Sequence, residues 1–492
     1  MSRCVLAVVV ASVLITPAFA EDKSQFPAGT VLGKSHVMVV TPPEQFTPHE
    51  SVISPYLYLN RCVGGCVITR GAINDARTNT STIPCPDGQN CMTSYTISEF
   101  HDAAGNTGAL ADPEWNQIVQ CMKEVYSPFA LNVVDQRPTT GVSYTMGIIA
   151  GRSSEIGWSA GTMGVAPAGC QPQDNVISFS FANQHSNFDR VWNICWTAAQ
   201  ETAHAFGLDH EYQFSDGTSA CSDPMTYRTD CGGQKFFRNK AAQCGEEAPR
   251  ACSCGGSQNS HVKIRNVFGD GVSLVPPPTV EIVAPLGGSI TNSTAIAASA
   301  GSLRGVAKVE LWINNFKWAE KPGALFGPSG QDNPSGYSIP LPMGVPDGNM
   351  DLVVKAYDDL GIETDSQKVM VVKGAPCASA STCAKGQKCE AGYCLWDPPS
   401  GELGDTCEYP QFCKSMICAD AVSGDDFCSQ ECIVGASDGC PMDYECISGM
   451  GATSGLCAPL DRGGCCSVGS NGGVAALMSM LVLGLVLRRR RK

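Results

Sequence analysis

The chain has 492 residues, of which 43% are hydrophobic and 27 are cysteine. That is too long for one ordinary domain and apolar enough for more than one core. A formal charge of −14 argues against nucleic acid or anionic lipid as partners. The first element is a leader: a basic start, an apolar run over 5–15, and Ala-Phe-Ala before Glu21. It reads as a secretory signal peptide over 1–20. Residues 21–50 contain Pro and Ser and are weakly patterned, so they read either as a short pro-segment or as a lead-in. A strand is expected at 56–59, with Cys62 and Cys66 closing a Gly-containing turn before a second strand at 67–69. Residues 75–82 read as polar loop.

Further along, 113–126 has apolar residues at helical spacing: Trp115, Ile118, Cys121, Met122 and Val125. Strands are expected at 131–134, 144–149 and 176–180. A second helix should start near Asn187 or Asp189, either a suitable N-cap. It would bury Val191, Cys195, Ala198, Ala199 and Phe206, with Ala203 and Ala205 packed close by. From Glu211 to Cys254 the chain reads as cysteine-rich coil. The Val-Pro-Pro-Pro run at 275–278 is the clearest boundary. Beyond it, short strands at 279–283, 309–313, 337–341, 352–357 and 368–372, with no cysteine, predict an immunoglobulin-like β-sandwich over 279–374. It shows no catalytic constellation and reads as a spacer or a ligand-binding unit.

The cysteines partition. Twelve lie between Cys62 and Cys254, none between 255 and 376, and twelve between Cys377 and Cys457, followed by Cys465 and Cys466. Even counts predict disulfides closed within each region, as export to an oxidising compartment allows. Residues 377–460 cannot bury enough apolar surface alone and must be stapled as a disulfide-rich module, read as a stalk or a binding element. Its spacings suggest a partial repeat.

The stretch 196–210, WTAAQETAHAFGLDH, carries the chemistry. On a helix Gln200 and His204 lie one above the other, with Glu201 about 100° round. Gly207 permits the positive φ that ends a helix, and the returning chain brings His210 to the same point. With 7 His and 52 Gly in the chain, chance would give His-x-x-Gly-x-x-His about 0.01 times. The spacing therefore marks a fold. It resembles the metzincin zinc-protease signature HExxHxxGxxH, with Gln200 in place of the first His. The stretch 222–227, SDPMTY, is similar to the metzincin Met-turn, in the variant with Tyr two places after Met.

The resemblance implies an α+β metzincin-like catalytic domain over 51–272. His204 and His210 would be zinc ligands with Gln200 in the first ligand position, Glu201 the general base, Met225 the hydrophobic floor and Tyr227 an auxiliary. It implies hydrolysis of peptide bonds in extracellular protein by a metal-activated water. Gln200 opens three outcomes, because an amide oxygen is a poor zinc donor beside imidazole. Zinc binds through His204, His210 and Gln200; or His185 or Asp209 supplies the missing ligand; or the site is empty and the domain is an inactive surface adhesion or binding protein. The remaining histidines, His36, His49, His101 and His261, stand alone and read as surface residues.

At the far end, Cys465 and Cys466 precede a glycine-rich spacer, an apolar segment at 474–487 and a basic run at 488–492. Residues 461–492 resemble the MYXO-CTERM sorting tail of myxobacterial surface proteins, processed near its cysteine. That implies a secreted protein on the bacterial cell surface, held to a membrane through the tail before or after sorting. Oligomeric state is not legible.

Overall fold

The computed structural model describes residues 30–41, 53–323, 334–420, 425–433, 439–448 and 454–460. The signal peptide, most of the 21–50 segment, His49, and the sorting tail with Cys465 and Cys466 lie outside the described residues. Among the described residues no helix is long and apolar enough to cross a membrane. The chain builds several β-sheets with few helices, in more than one domain, and its C-terminal part is rich in disulfides.

The first domain is organised on a seven-stranded sheet. Its order is Val31–Leu32, His36–Val40, Gly164–Ala168, Ile177–Ser180, Thr145–Ile149, Tyr56–Asn60, Asn132–Val134. The last four are mutually parallel, and Gly164–Ala168 runs antiparallel to Ile177–Ser180. Thr145–Ile149 and Ile177–Ser180 are buried along their whole length, as strands covered on both faces must be. Helix α1 (Asp112–Tyr126) starts with Pro113 in its first turn, where the missing N–H costs nothing, and buries Trp115, Ile118, Met122 and Val125.

Helix α2 (Arg190–His204) lies against the sheet and α1. The Cys121–Cys195 disulfide ties the two helices, and the Tyr126 hydroxyl lies 3.0 Å from the Ala199 carbonyl and 2.8 Å from Thr202 Oγ1. Asp189 holds the N-cap position at φ +48°, without a side-chain capping bond. Val191 is half-buried and packs against the main core, in which Ile194 is fully buried. Gly147 lets the helix approach, since a Cβ there would stand 3.0 Å from Thr202 Cγ2.

The stretch after Glu211 is mostly coil, but Glu211–Phe214 and Ala242–Cys244 pair within it. A third helix, α3 (Ser260–Phe268), follows, capped by Asn259, whose side chain accepts from the Val262 N–H. All twelve cysteines between 62 and 254 form six disulfides inside this domain, including the expected Cys62–Cys66 turn.

After the proline run, two sheets face each other over a core that includes Ile296, Val309, Leu311, Leu352 and Val354. Gly348–Tyr357 alternates buried and half-buried residues over ten positions, the signature of a strand with one face on a core. This sandwich is docked on the first domain rather than strung from it. Asp359 accepts from Arg304 at 2.7 and 2.8 Å and from Arg238 of the first domain at 2.9 Å, all three groups being buried. The following cysteines pair first-to-third and second-to-fourth three times in succession, so the partial repeat is threefold. The first of these units leans on the sandwich, where Trp396 packs against Phe316 and Trp318.

Candidate metal centre

Helix α2 ends at His204, and Gly207, at φ +92°, turns the chain back so that His210 faces the helix. Gly207 is tightly placed as well, because a Cβ would lie 3.1 Å from the Cys170 carbonyl. The result brings His204 Nε2 to 3.1 Å from His210 Nε2, with the rings nearly perpendicular at 82°.

The protons on these rings follow from their other nitrogens. His204 Nδ1 lies 2.8 Å from the Leu208 carbonyl, and His210 Nδ1 lies 2.8 Å from Glu246 Oε1. A carbonyl and a carboxylate can only accept, so each Nδ1 carries a hydrogen, and a ring with no second proton presents a lone pair at Nε2. Two lone pairs at 3.1 Å repel unless a proton or a cation stands between them. Burial first, and the neighbouring His210 second, push the His204 pKa down to about 3, so His204 is a neutral imidazole at neutral pH.

One turn back on α2, Gln200 and Glu201 are fully buried. Among the described residues neither amide atom of Gln200 and neither carboxylate oxygen of Glu201 has a hydrogen-bond partner. Leaving such groups bare costs roughly 1–3 kcal/mol each for neutral atoms and more for a charge. Burial raises the Glu201 pKa well above the usual carboxylate range. Its side chain sits against the sheet at Gly164, where a Cβ would be 2.5 Å from the carboxylate.

Tyr227 brings its ring to 4.8 Å from that of His210, and burial, followed by the charge of Glu201, raises its pKa so that the phenol keeps its proton. Met225 is fully buried in the main core, its N–H on Asp223 Oδ1 at 2.9 Å and its carbonyl accepting from the Glu211 N–H at 2.7 Å. The backbone bond to Glu211 ties the 222–227 turn to the residue after His210.

Asp209 is not available as a ligand. Its oxygens accept from Arg250 at 2.6 and 2.7 Å, from the His210 N–H at 2.7 Å and from Ser253 at 2.8 and 2.9 Å. Although burial opposes it, Arg250 holds that carboxyl well below its ordinary range. His185 makes no hydrogen bond to His204, His210 or Glu246 among the described residues; its carbonyl serves Arg190 at 2.6 Å.

Two participants escaped the sequence reading. Glu246 and Arg250 orient His210 from a loop closed by the Cys244–Cys252 disulfide, and their four-residue spacing was the available signal. Burial would raise the Glu246 pKa, but His210 and Arg250 pull it down to about 2. The second is His36, which is not a surface residue. It is buried, with Nε2 3.1 Å from Thr197 Oγ1 and its ring 4.9 Å from Trp196 and 5.4 Å from Tyr227. Its signal was the run HVMVV, a strand following a glycine. His261 is also buried, against Phe129, and His101 is half-buried with Nδ1 on the Asp102 carbonyl. The clustered cysteines of the C-terminal module are held in disulfides, so their proximity makes no metal site.

No family model matches the chain, and no curated protein does. Solved structures give distant similarities. Fibronectin(III)-like modules of Clostridium thermocellum CbhA are 16% identical over 19% of this chain and 95% of theirs, at a TM-score of 0.14. OgpA from Akkermansia muciniphila is 9% identical over 46% of this chain and 64% of its own, at 0.15. A Bacteroides uniformis beta-glucuronidase is 13% identical over 50% of this chain and 30% of its own, at 0.14. At these scores no shared fold follows.

Proposed function

We propose that the first domain is a metzincin-type zinc endopeptidase, exported to the bacterial cell surface and carried there on the immunoglobulin-like sandwich and the disulfide-rich module. The reading is carried by one observation: two buried imidazoles whose Nδ1 atoms are engaged by the Leu208 carbonyl and Glu246 turn their Nε2 atoms to one point, 3.1 Å apart. The fit extends to the side chains around them. Zinc accepts neutral imidazole and oxygen donors, and a ligand histidine usually gives its other N–H to a carbonyl or carboxylate, as His204 and His210 do. His204, His210 and the orphaned amide oxygen of Gln200 would hold the ion.

When bound, zinc supplies Lewis acidity that brings the pKa of a water towards ~7. The protein's own groups do the rest. Burial alone keeps Glu201 towards its protonated form; a cation beside it would favour the carboxylate, which would then take the proton of the attacking water and return it to the leaving amine. Tyr227 keeps its phenolic proton and can donate it in a hydrogen bond to a developing oxyanion. The Glu246–Arg250–Asp209 chain keeps His210 in its tautomer.

The second reading, an inactive surface adhesion or binding protein, is favoured by Gln200 alone. Metal content of the purified chain after incubation with excess zinc separates the two. Near-stoichiometric zinc and a gain in zinc affinity and peptidase rate in Gln200→His are expected. A chain that takes up no zinc, or a Gln200→His variant that changes neither property, would favour the binding protein.

A further inference from the structure

Away from the paired histidines, where α1 and α2 run together, the first domain carries a surface groove of about 360 Å³. Asn116, Gln117, Gln120 and Glu124 line it from α1, Trp192 from α2, and Gln234 from the coil after the 222–227 turn. The α1 residues fall at helical spacing and form one stripe. Cys121 sits beneath them, and its disulfide to Cys195 fixes the distance between the two helices.

The lining has a definite chemistry. Four of its side chains are amides, and no lysine, arginine or histidine is among them, so nothing there neutralises an anion. Gln120 Nε2 donates to Glu124 Oε1 at 2.8 Å, and Gln234 Nε2 donates to Glu124 Oε2 at 2.9 Å. These bonds hold the Gln120 amide in place while leaving its carbonyl oxygen and second N–H to a ligand. Of the seven tryptophans, Trp192 is the exposed one, at 42%. The indoles of Trp158, Trp196, Trp312 and Trp396 donate within the chain, whereas that of Trp192 has no partner among the described residues.

A flat apolar ring beside fixed amides suits a sugar. Pyranose hydroxyls both donate and accept, as side-chain amides do, and the C–H face of the ring can lie on an indole. Rings with equatorial substituents and β-linkages keep that face free of hydroxyls. An extended peptide is served less well, because it is held by unpaired backbone groups, and along α1 and α2 those groups are committed within the helices. The volume falls in the usual range of small-ligand sites, about 300–1,000 Å³.

We propose that the α1–α2 groove binds a neutral β-linked pyranoside, with Trp192 as the stacking platform and Gln120, Asn116 and Glu124 as hydroxyl partners. The proposal does not depend on the hydrolase reading: Trp192 precedes His204 by twelve residues on α2, roughly 18 Å along its axis. The test titrates the full chain with cellotriose and, separately, with triacetylchitotriose, by calorimetry. At least one should bind. Trp192→Ala should weaken it roughly 10-fold and Trp192→Phe should recover most of the loss; Gln120→Ala should weaken it roughly 3-fold. All three side-chain changes are at exposed positions, so far-UV circular dichroism and zinc content should match wild type. No binding of either sugar overturns the proposal, as does binding that Trp192→Ala leaves intact. If a Gly-Gln-Asn-Gln-Gly peptide binds in a Trp192-dependent way and the sugars do not, the groove docks protein and the proposal fails. Absence of zinc or of peptide hydrolysis would remove the hydrolase reading and leave the sugar titration as it stands.

Discussion

The first domain and the sandwich each bury a glutamate, and they treat it in opposite ways. Glu310, 4% exposed, accepts from Lys308 at 2.7 Å, Lys317 at 2.8 Å, Trp312 at 2.9 Å and Tyr357 at 3.1 Å. Glu201, at 0%, accepts from no group among the described residues. Burial alone would raise both; the lysines and the indole N–H bring Glu310 down to about 2, while Glu201 stays raised. A buried charge is tolerated when it is paired and is costly when it is not. In the sandwich the polypeptide supplies every partner, so the network explains itself as structure. Beneath α2 the described residues supply none to Glu201, which is why function is proposed there.

The largest test of that contrast is the same substitution made twice. Glu201→Gln should lower peptide hydrolysis by roughly 10²–10⁴-fold, the usual contribution of a positioned general base. It should leave zinc content unchanged and leave urea stability unchanged or higher, because a bare carboxylate has been removed. Glu310→Gln should leave hydrolysis alone and cost about 1 kcal/mol, since two partly exposed lysines lose their charged acceptor. Equal destabilisation by both variants would mean that Glu201 has partners after all.

Next in size is the joint between the domains. Asp359→Asn leaves Arg238 and Arg304 buried without their shared anion, a defect of about 3–5 kcal/mol, measured by urea unfolding. Arg238 also gives its backbone N–H to Asp223 at 2.8 Å, and Asp223 holds the Met225 N–H at 2.9 Å. Amide exchange at Met225 should therefore quicken in this variant while the 407–457 disulfide units stay unchanged. Unaltered exchange at Met225 would confine the sandwich to a spacer role.

What the sequence revealed follows the range of each interaction. The QETAHAFGLDH motif was legible because helix spacing and one glycine determine it within eleven residues. Residues 352–357, the second part of the strand Gly348–Tyr357, and α1 were legible by pattern, and the two sets of twelve cysteines by parity. The strand Gly164–Ala168 (GVAPA) did not, because glycine, alanine and proline carry little strand preference and only its neighbours define it. Helix α3 is short and half polar, so its period is weak. The N-terminal strand, 128 residues before its partner in the His36–Gly164 pairing, and the Arg238–Asp359 pair, 121 residues apart, are non-local and leave no mark in a window of sequence. His36 was misjudged for that reason. Its neighbourhood is made by Trp196, Thr197 and Tyr227, none of them near it in the chain.

The smallest effect concerns acid. Glu310 has a folded pKa of about 2 against an ordinary 4.5. A depressed carboxyl contributes stability that is fully present above its unfolded value and disappears as pH falls through the folded one. The urea midpoints of wild type and Glu310→Gln should therefore differ most above pH ~5 and converge between pH 4.5 and about 2. The difference is expected to be about 1 kcal/mol, because Lys308 and Lys317 are more than one-third exposed and the pairing is solvent-screened. Glu201, raised rather than lowered, has the opposite sign: its ionisation opposes folding as pH rises above the unfolded value, so Glu201→Gln should gain on wild type in the direction in which Glu310→Gln loses. Midpoint curves that run parallel for both variants would show that the two carboxylates share one environment, and the distinction between a structural and a functional glutamate would collapse.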